Sequence, residues 1–151
     1  MQLTPEIKQS ISESVLCWLA TTAEDQMPNV SPKEIFNHFE EDKIIVANIA
    51  SPQTVRNIRT NAKVCVSFIN ILSQKGFQLK GEAEIIDKNN GEFLAMETIL
   101  LKMTGGKFPF KTITKITVRT VKPIIAPRYL LFPETTEKQQ IDSALKAYGI
   151  A

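Results

Sequence analysis

The sequence predicts a mainly β, α+β fold: an antiparallel barrel with helices at its periphery. Apolar and polar residues alternate cleanly along Phe77, Leu79, Gly81, Ala83 and Ile85 against Gln78, Lys80, Glu82 and Glu84, the period of a strand with one buried face. Strand-like segments outnumber helical ones and often adjoin through polar turns. The strict alternation of strand and helix that builds a doubly wound parallel sheet is absent.

Taken in order, Thr4-Pro5-Glu6 reads as an N-cap, a proline at the first helical position and an early acid, opening a helix over residues 5–14 with Ile7, Ile11 and Val15 inward. A strand over 15–23 follows, then a polar turn at Glu24-Asp25-Gln26 and a second strand over 28–37. Residues 38–42 form a polar break in which His38 is a turn residue. The KIIVAN segment at 43–48 is apolar enough for a strand buried on both faces.

Ser51-Pro52 repeats the cap-and-proline start, so residues 51–60 predict a helix, and Val64, Val66 and Phe68 mark the next strand. After the alternating strand that ends at Asp87, Asn89-Asn90-Gly91 introduces a helix. Phe93, Leu94, Met96, Ile99, Leu100 and Met103 form its apolar stripe, which closes at Gly105-Gly106. Residues 112–127 predict a long β-branched strand in which Pro123, unable to donate to a ladder, marks a bend or an edge. The tail predicts a helix from Thr135 with Ile141, Leu145 and Tyr148 inward and Gly149 as its stop.

Composition narrows the function. The 151 residues, 43% apolar and 23% charged, read as one domain spanning 1–151. Eighteen Lys and Arg against sixteen Asp and Glu give +2, too little for a dedicated nucleic-acid binder. No apolar run reaches the length of a membrane span and the start lacks a secretory pattern, so a cytoplasmic protein is expected. Cys17 and Cys65 without CxxC spacing predict buried free thiols, and a single histidine leaves no basis for a metal site.

No GxGxxG or P-loop motif is present. An anion site is nevertheless written into Asn48-Ile49-Ala50-Ser51-Pro52-Gln53-Thr54, which runs from a buried strand into a helix start where free N–H groups and the positive helix end favour a phosphate. Ser51 and Thr54 add hydroxyls and Arg56 a charge; on spacing alone Ser51 also serves as an ordinary cap. Pro28-Asn29-Val30-Ser31-Pro32-Lys33-Glu34, a strand interrupted by prolines, leaves backbone groups for a planar polar ligand, with Lys33 for a negative group. Seven basic residues and no acid fall between Thr98 and Pro133. They read either as a solvated face or, with the aromatics of GGKFPFK, as the border of a pocket for an anionic ligand.

The succession LCWLATTA, PNVSPKEIF, KIIVANIASPQTVRNIRTNAKVCVSF and GFQLKGEAEII resembles the pyridoxamine 5′-phosphate oxidase-like FMN-binding split-barrel family over residues 5–87. The resemblance implies a six-stranded antiparallel split β-barrel forming a homodimer, with FMN at the subunit interface. It places the flavin phosphate at Ser51, Gln53, Thr54 and Asn57, and the ring along Val30, Ser31, Pro32 and Lys33 with Ala47 and Asn48. Family members usually carry Lys or Arg where this chain has Gln53, which removes a phosphate charge that Lys33, Arg56 or a partner cation would have to replace. The resemblance further implies a flavin-dependent oxidoreductase of open substrate, with the cofactor supplying the redox chemistry. Vitamin B6 oxidation is not expected, because KQQIDSALKAYGIA lacks the arginine and histidine with which true pyridoxamine phosphate oxidases contact substrate. The alternatives are a non-catalytic flavin carrier and a split barrel binding deazaflavin or haem. A small RNA-binding barrel is remote, since Lys75-Gly76-Phe77 starts an RNA-binding strand pattern that Gln78 and Leu79 do not continue.

Overall fold

The computed structural model describes residues 1–150. In chain order the elements are α1 (Pro5–Glu13), β1 (Cys17–Thr22), β2 (Pro28–Lys33), β3 (Phe36–Phe39), β4 (Lys43–Ala47), α2 (Pro52–Thr60), β5 (Lys63–Asn70), β6 (Lys75–Asp87), α3 (Phe93–Thr104), β7 (Thr112–Ile125), α4 (Pro127–Leu131) and α5 (Glu137–Ala147). The strands form a single antiparallel sheet in the order β2-β1-β5-β6-β7-β4-β3, curled into a split barrel with the helices outside it.

The expected mainly β split barrel is present, with seven strands where six were expected. The segment predicted as one strand over 28–37 breaks at Glu34-Ile35 into β2, which pairs with β1, and β3, which pairs with β4 at the opposite end of the sheet. His38 accordingly lies in β3 opposite Ile44 rather than in a turn. Burial pushes its pKa down, helped by the Lys8 charge and opposed by Glu41.

Two apolar clusters hold the sheet. Inside the curl, Leu19, Val66, Phe68, Leu79, Ile116 and Val118 meet Ile7 and Ile11 of α1, and Phe36 and Phe68 pack with ring centroids 6.2 Å apart in a tilted pair. On the other side, Met96 and Leu100 of α3 pack on Ile45, Ile86 and Ile113. Strand β4, between β7 and the edge strand β3, therefore faces a cluster on each side, which is why Ile44-Ile45-Val46-Ala47 is apolar throughout.

The long pair β6 and β7 bends where the register shifts between Lys80 and Gly81. A Cβ on Gly81 would lie 2.1 Å from the Thr117 carbonyl oxygen, so the close approach of the strands requires glycine there. Beyond Val118, β7 has lost its β4 partner and pairs with β6 alone, and Pro123 sits on that free edge as its missing N–H requires.

Several expected inward residues face solvent. Val15 is 80% exposed because α1 ends at Glu13 and β1 starts only at Cys17. Leu94 and Met103 lie off the buried side of α3, and in α5 it is Gln140 and Ala144 that are buried while Tyr148 is half exposed. Cys17 is fully buried and Cys65 half-buried; both are free. No described helix is long and apolar enough to cross a membrane.

Candidate functional site

The sheet register separates the residues of β2 by face. Residues opposite each other in an antiparallel pair share a face, so Ser31 and Lys33, opposite Leu19 and Cys17, point inward, whereas Val30 and Pro32, opposite Ala20 and Trp18, belong to the outer face. The inward pair reaches α2. Lys33 donates from Nζ to Ser51 Oγ, and the Ser31 and Thr54 hydroxyls lie 3.3 Å apart. Ser51 in turn donates to the Ile49 carbonyl at 2.9 Å, so its hydroxyl orients the lysine instead of capping the helix.

The first turn of α2 is consequently left with donors to spare. Pro52 has no N–H, the Val55 N–H returns to Ser51, and among the described residues no protein acceptor meets the N–H groups of Gln53 and Thr54. The backbone entering this turn is forced: Ala50 takes φ +50, a conformation that favours glycine. Non-glycine residues in such conformations concentrate at binding sites.

Charge at this junction comes from a buried lysine. Lys33 is only 7% exposed, and burial holds its pKa below the ordinary lysine value despite the Cys17 thiol opposite it. The same burial pushes Cys17 up to about 12, with Lys33 pulling the other way, so Cys17 is a protonated packing group rather than a nucleophile.

Beside Lys33 a cleft of about 250 Å³ opens, lined by Pro32, Lys33, Glu34, Ile35, Ala47, Ile49 and Phe108. On the other flank of α2 lies a wider groove of about 630 Å³, bounded by Ala23, Glu24, Asp25, Gln53, Arg56, Asn57 and Thr60. A hydrogen-bonded chain crosses that flank. Arg56 Nη2 donates to Gln53 Oε1 at 2.7 Å, Gln53 Nε2 to Asn57 Oδ1 at 2.7 Å, and Asn57 Nδ2 to Thr21 Oγ1 at 3.0 Å. Gln53 thereby holds Arg56 against the start of its own helix.

The ten residues that the resemblance singled out fall into four groups. Ser31, Lys33, Ser51 and Thr54 are brought together, with Pro32 and Ala47 on the adjoining cleft. Gln53 and Asn57 face the wider groove. Asn48 is engaged elsewhere, donating to Thr112 Oγ1 and accepting from Thr114 Oγ1, which ties the end of β4 to β7. Val30 stands on the outer face and is 58% exposed.

One site residue escaped sequence reasoning: Glu34 reads only as part of the β2 segment. Phe108 does border a pocket, as one reading of the GGKFPFK aromatics expects, but no local pattern joins a loop after α3 to the end of β2. The basic stretch also resolves into parts. Lys115 is buried and paired to Glu84 and Glu92 at 2.8 and 2.6 Å, and Arg119 pairs with Glu82 at 2.8 Å, so neither is free for an anionic ligand.

A phosphate-bearing flavin fits this donor set: unpaired N–H groups at a helix start, two hydroxyls and a lysine aimed at the same turn, and a mostly apolar cleft for a planar ring. A curled antiparallel sheet carrying such a strand-to-helix junction defines the split-barrel class.

The family profile described as pyridoxamine 5′-phosphate oxidase matches residues 3–125, and the chain belongs to that family. Among solved structures, HupZ of Group A Streptococcus superposes with a TM-score of 0.69 at 24% identity, covering 79% of this chain and 91% of that one. An FMN-binding protein of Syntrophomonas wolfei gives 0.66 at 19% identity, with 78% and 84% covered. HutZ, the haem storage protein of Vibrio cholerae, gives 0.65 at 18%, with 83% and 95% covered. At these identities the likeness is one of fold, and the last two are named for different cofactors. Among curated proteins none matches the chain.

Proposed function

We propose that the chain is a flavoprotein that binds FMN at a homodimer interface and acts as a flavin-dependent oxidoreductase on a small-molecule substrate. The observation that carries this reading is the convergence of Lys33 and Ser31 from β2 on Ser51 and Thr54 at the start of α2. The phosphate would be held by the Gln53 and Thr54 N–H groups with the Thr54 hydroxyl, and Lys33 would balance its charge at short range, where the surrounding burial strengthens the attraction. Arg56, held by Gln53, stands in for the cation that relatives carry at position 53. Once bound, the flavin supplies hydride or single-electron chemistry. The protein's part is to fix the ring against Pro32 and Ala47 and keep water from it.

The haem alternative finds less support. The cleft lining contains no His, Cys, Met or Tyr to serve as an axial ligand, and His38 lies in β3 under the influence of Lys8 and Glu41, near α1.

Dimerisation is supported by surface area and by the outer sheet face. A compact monomer of this mass exposes roughly 7,700 Å², whereas this chain exposes 9090 Å². Trp18 and Val30, 47% and 58% exposed, flank Pro32 on the outer face of β1 and β2. A cleft of about 250 Å³ is also too small to enclose a whole flavin, so a second protomer would complete it. Sedimentation of the protein with and without FMN, alongside the bound-flavin stoichiometry, tests the reading. A dimer carrying two FMN supports it. A monomer that binds FMN at full affinity contradicts the interface.

A further inference from the structure

The loop between α3 and β7 presents an aromatic ring to the cleft in a way that core packing does not explain. Gly105 and Gly106 take φ +58 and +76, ending α3 in a left-handed turn open only to glycine at low cost. Thr104 fastens that turn, its carbonyl accepting from the Lys107 N–H at 3.2 Å and its hydroxyl from the Gly106 N–H at 3.1 Å. At the other end Phe110 is buried in the α3 cluster with Met96, Leu100 and Ile113. Phe108 is held between these anchors, stiffened by Pro109, and is 54% exposed while forming one wall of the cleft. A phenylalanine kept out of the core, on a loop fixed at both ends, is a preformed surface for stacking.

Charge accompanies it. Lys107 and Lys111, both exposed, flank Phe108, and neither takes part in an ion pair among the described residues. Across the cleft stand Pro32, Ile35, Ala47 and Ile49, with Lys33 already bonded to Ser51 and Glu34 as the single carboxylate in the lining. With the flavin ring against Pro32 and Ala47 the cleft itself is taken, and what remains for a second ligand is its open side, where the exposed ring of Phe108 offers a face of one or two rings' width.

We propose that Phe108 is a stacking platform for a second ligand, a planar aromatic anion of one or two rings, whose charge is met by Lys107 and Lys111. This rests on the flavin reading only in that FMN occupies the floor of the cleft and the second ligand its outer wall. Affinity then has two separable parts. The ring contributes through Phe108 whatever the ligand's charge, and the lysines distinguish an anion from its neutral counterpart. Glu34 opposes the anion.

The test titrates naphthalene-2-carboxylate and the uncharged naphthalene-2-methanol into the FMN-saturated protein by calorimetry. Phe108→Ala should weaken both at least tenfold and Phe108→Tyr should leave both within a factor of three. Lys107→Gln with Lys111→Gln should weaken the carboxylate alone at least fivefold, and Glu34→Gln should tighten it alone. Since Phe108 is exposed, its variants should melt with the parent, which separates a local effect from misfolding. Unchanged carboxylate affinity in Phe108→Ala, or release of FMN by the carboxylate, overturns the proposal. If no variant binds FMN, the flavin reading fails, and the same titrations on the flavin-free protein still decide the role of Phe108.

Discussion

Lys33 at the end of β2 donates its ammonium to the hydroxyl of Ser51 at the start of α2, joining two segments 18 residues apart across the mouth of the cleft. The contact places a buried positive charge beside unpaired helix N–H groups. Without an anion, such a charge is a cost to the fold.

Replacing that lysine should therefore separate stability from binding. Lys33→Met is expected to stabilise the flavin-free protein by about 1 kcal/mol and to weaken FMN at least tenfold. The pH dependence gives an independent reading. Because burial holds the folded pKa below the ordinary 10.5, Lys33 binds more protons in the unfolded chain between the two values and adds a rise of stability with pH there, while Cys17, held up at about 12, adds a fall above its ordinary 9.0; the difference between parent and variant isolates the lysine's rise. The Met variant should lose the rise. Urea denaturation at pH 7 and pH 10 measures both effects, and a less stable variant with the parent's slope would count against the buried charge.

The phosphate cradle is open to substitution from both directions. Thr54→Ala should weaken FMN by about 1–3 kcal/mol if its hydroxyl donates to a charged phosphate. Gln53→Lys places a cation at the helix start itself and should tighten FMN several-fold, although it breaks the bonds to Arg56 and Asn57. Riboflavin, lacking the phosphate, should respond to neither. Equal effects on both flavins would move the phosphate away from α2.

On the outer face, Trp18→Glu should convert the proposed dimer to monomer, since a charge there would be buried unpaired by a partner. FMN affinity should fall with it. Sedimentation velocity of the variant reads the first effect and flavin titration the second. A variant that remains dimeric would place the interface elsewhere.

Away from the cleft, Lys115 ties the N-cap of α3 to the sheet through Glu92 and pairs with Glu84 across the β6 and β7 ladder. Burial pulls its pKa down, but the two carboxylate hydrogen bonds outweigh it and the net shift is upward. The stabilisation is thus fully present below the ordinary lysine pKa and lost as pH rises through the folded value. The carboxylates are 58% and 44% exposed, so solvent screens them; replacing both by Gln should cost about 1–2 kcal/mol, and adding Lys115→Met should recover most of it. Chemical denaturation of the series measures this. No recovery would mean that the ammonium's charge is not the source of the loss.

Much of the fold was legible because local rules and tertiary packing agree. Alternation along β6, the paired apolar faces of β4, and the Pro52 and Gly105 punctuation all carry their own structural meaning. The break of the second strand was hidden because it depends on pairing at opposite ends of the sheet, which no local pattern encodes. Helix faces were misjudged where a neighbour was missing: Tyr148 and Leu94 have helical spacing but little to pack on. At the site, Ser31, Lys33, Ser51 and Thr54 were all suspected, yet their meeting is a property of the β1 and β2 register. Asn48 had the right composition for a ligand contact and was claimed by two threonines of β7.

The most direct test of the account is a titration of the purified protein with FMN, following flavin fluorescence and the quenching of Trp18, the sole tryptophan, with riboflavin in parallel. The account predicts saturable FMN binding at least tenfold tighter than riboflavin. Equal affinity for the two flavins, or no saturable binding of FMN, would contradict the phosphate site at Ser51, Gln53 and Thr54.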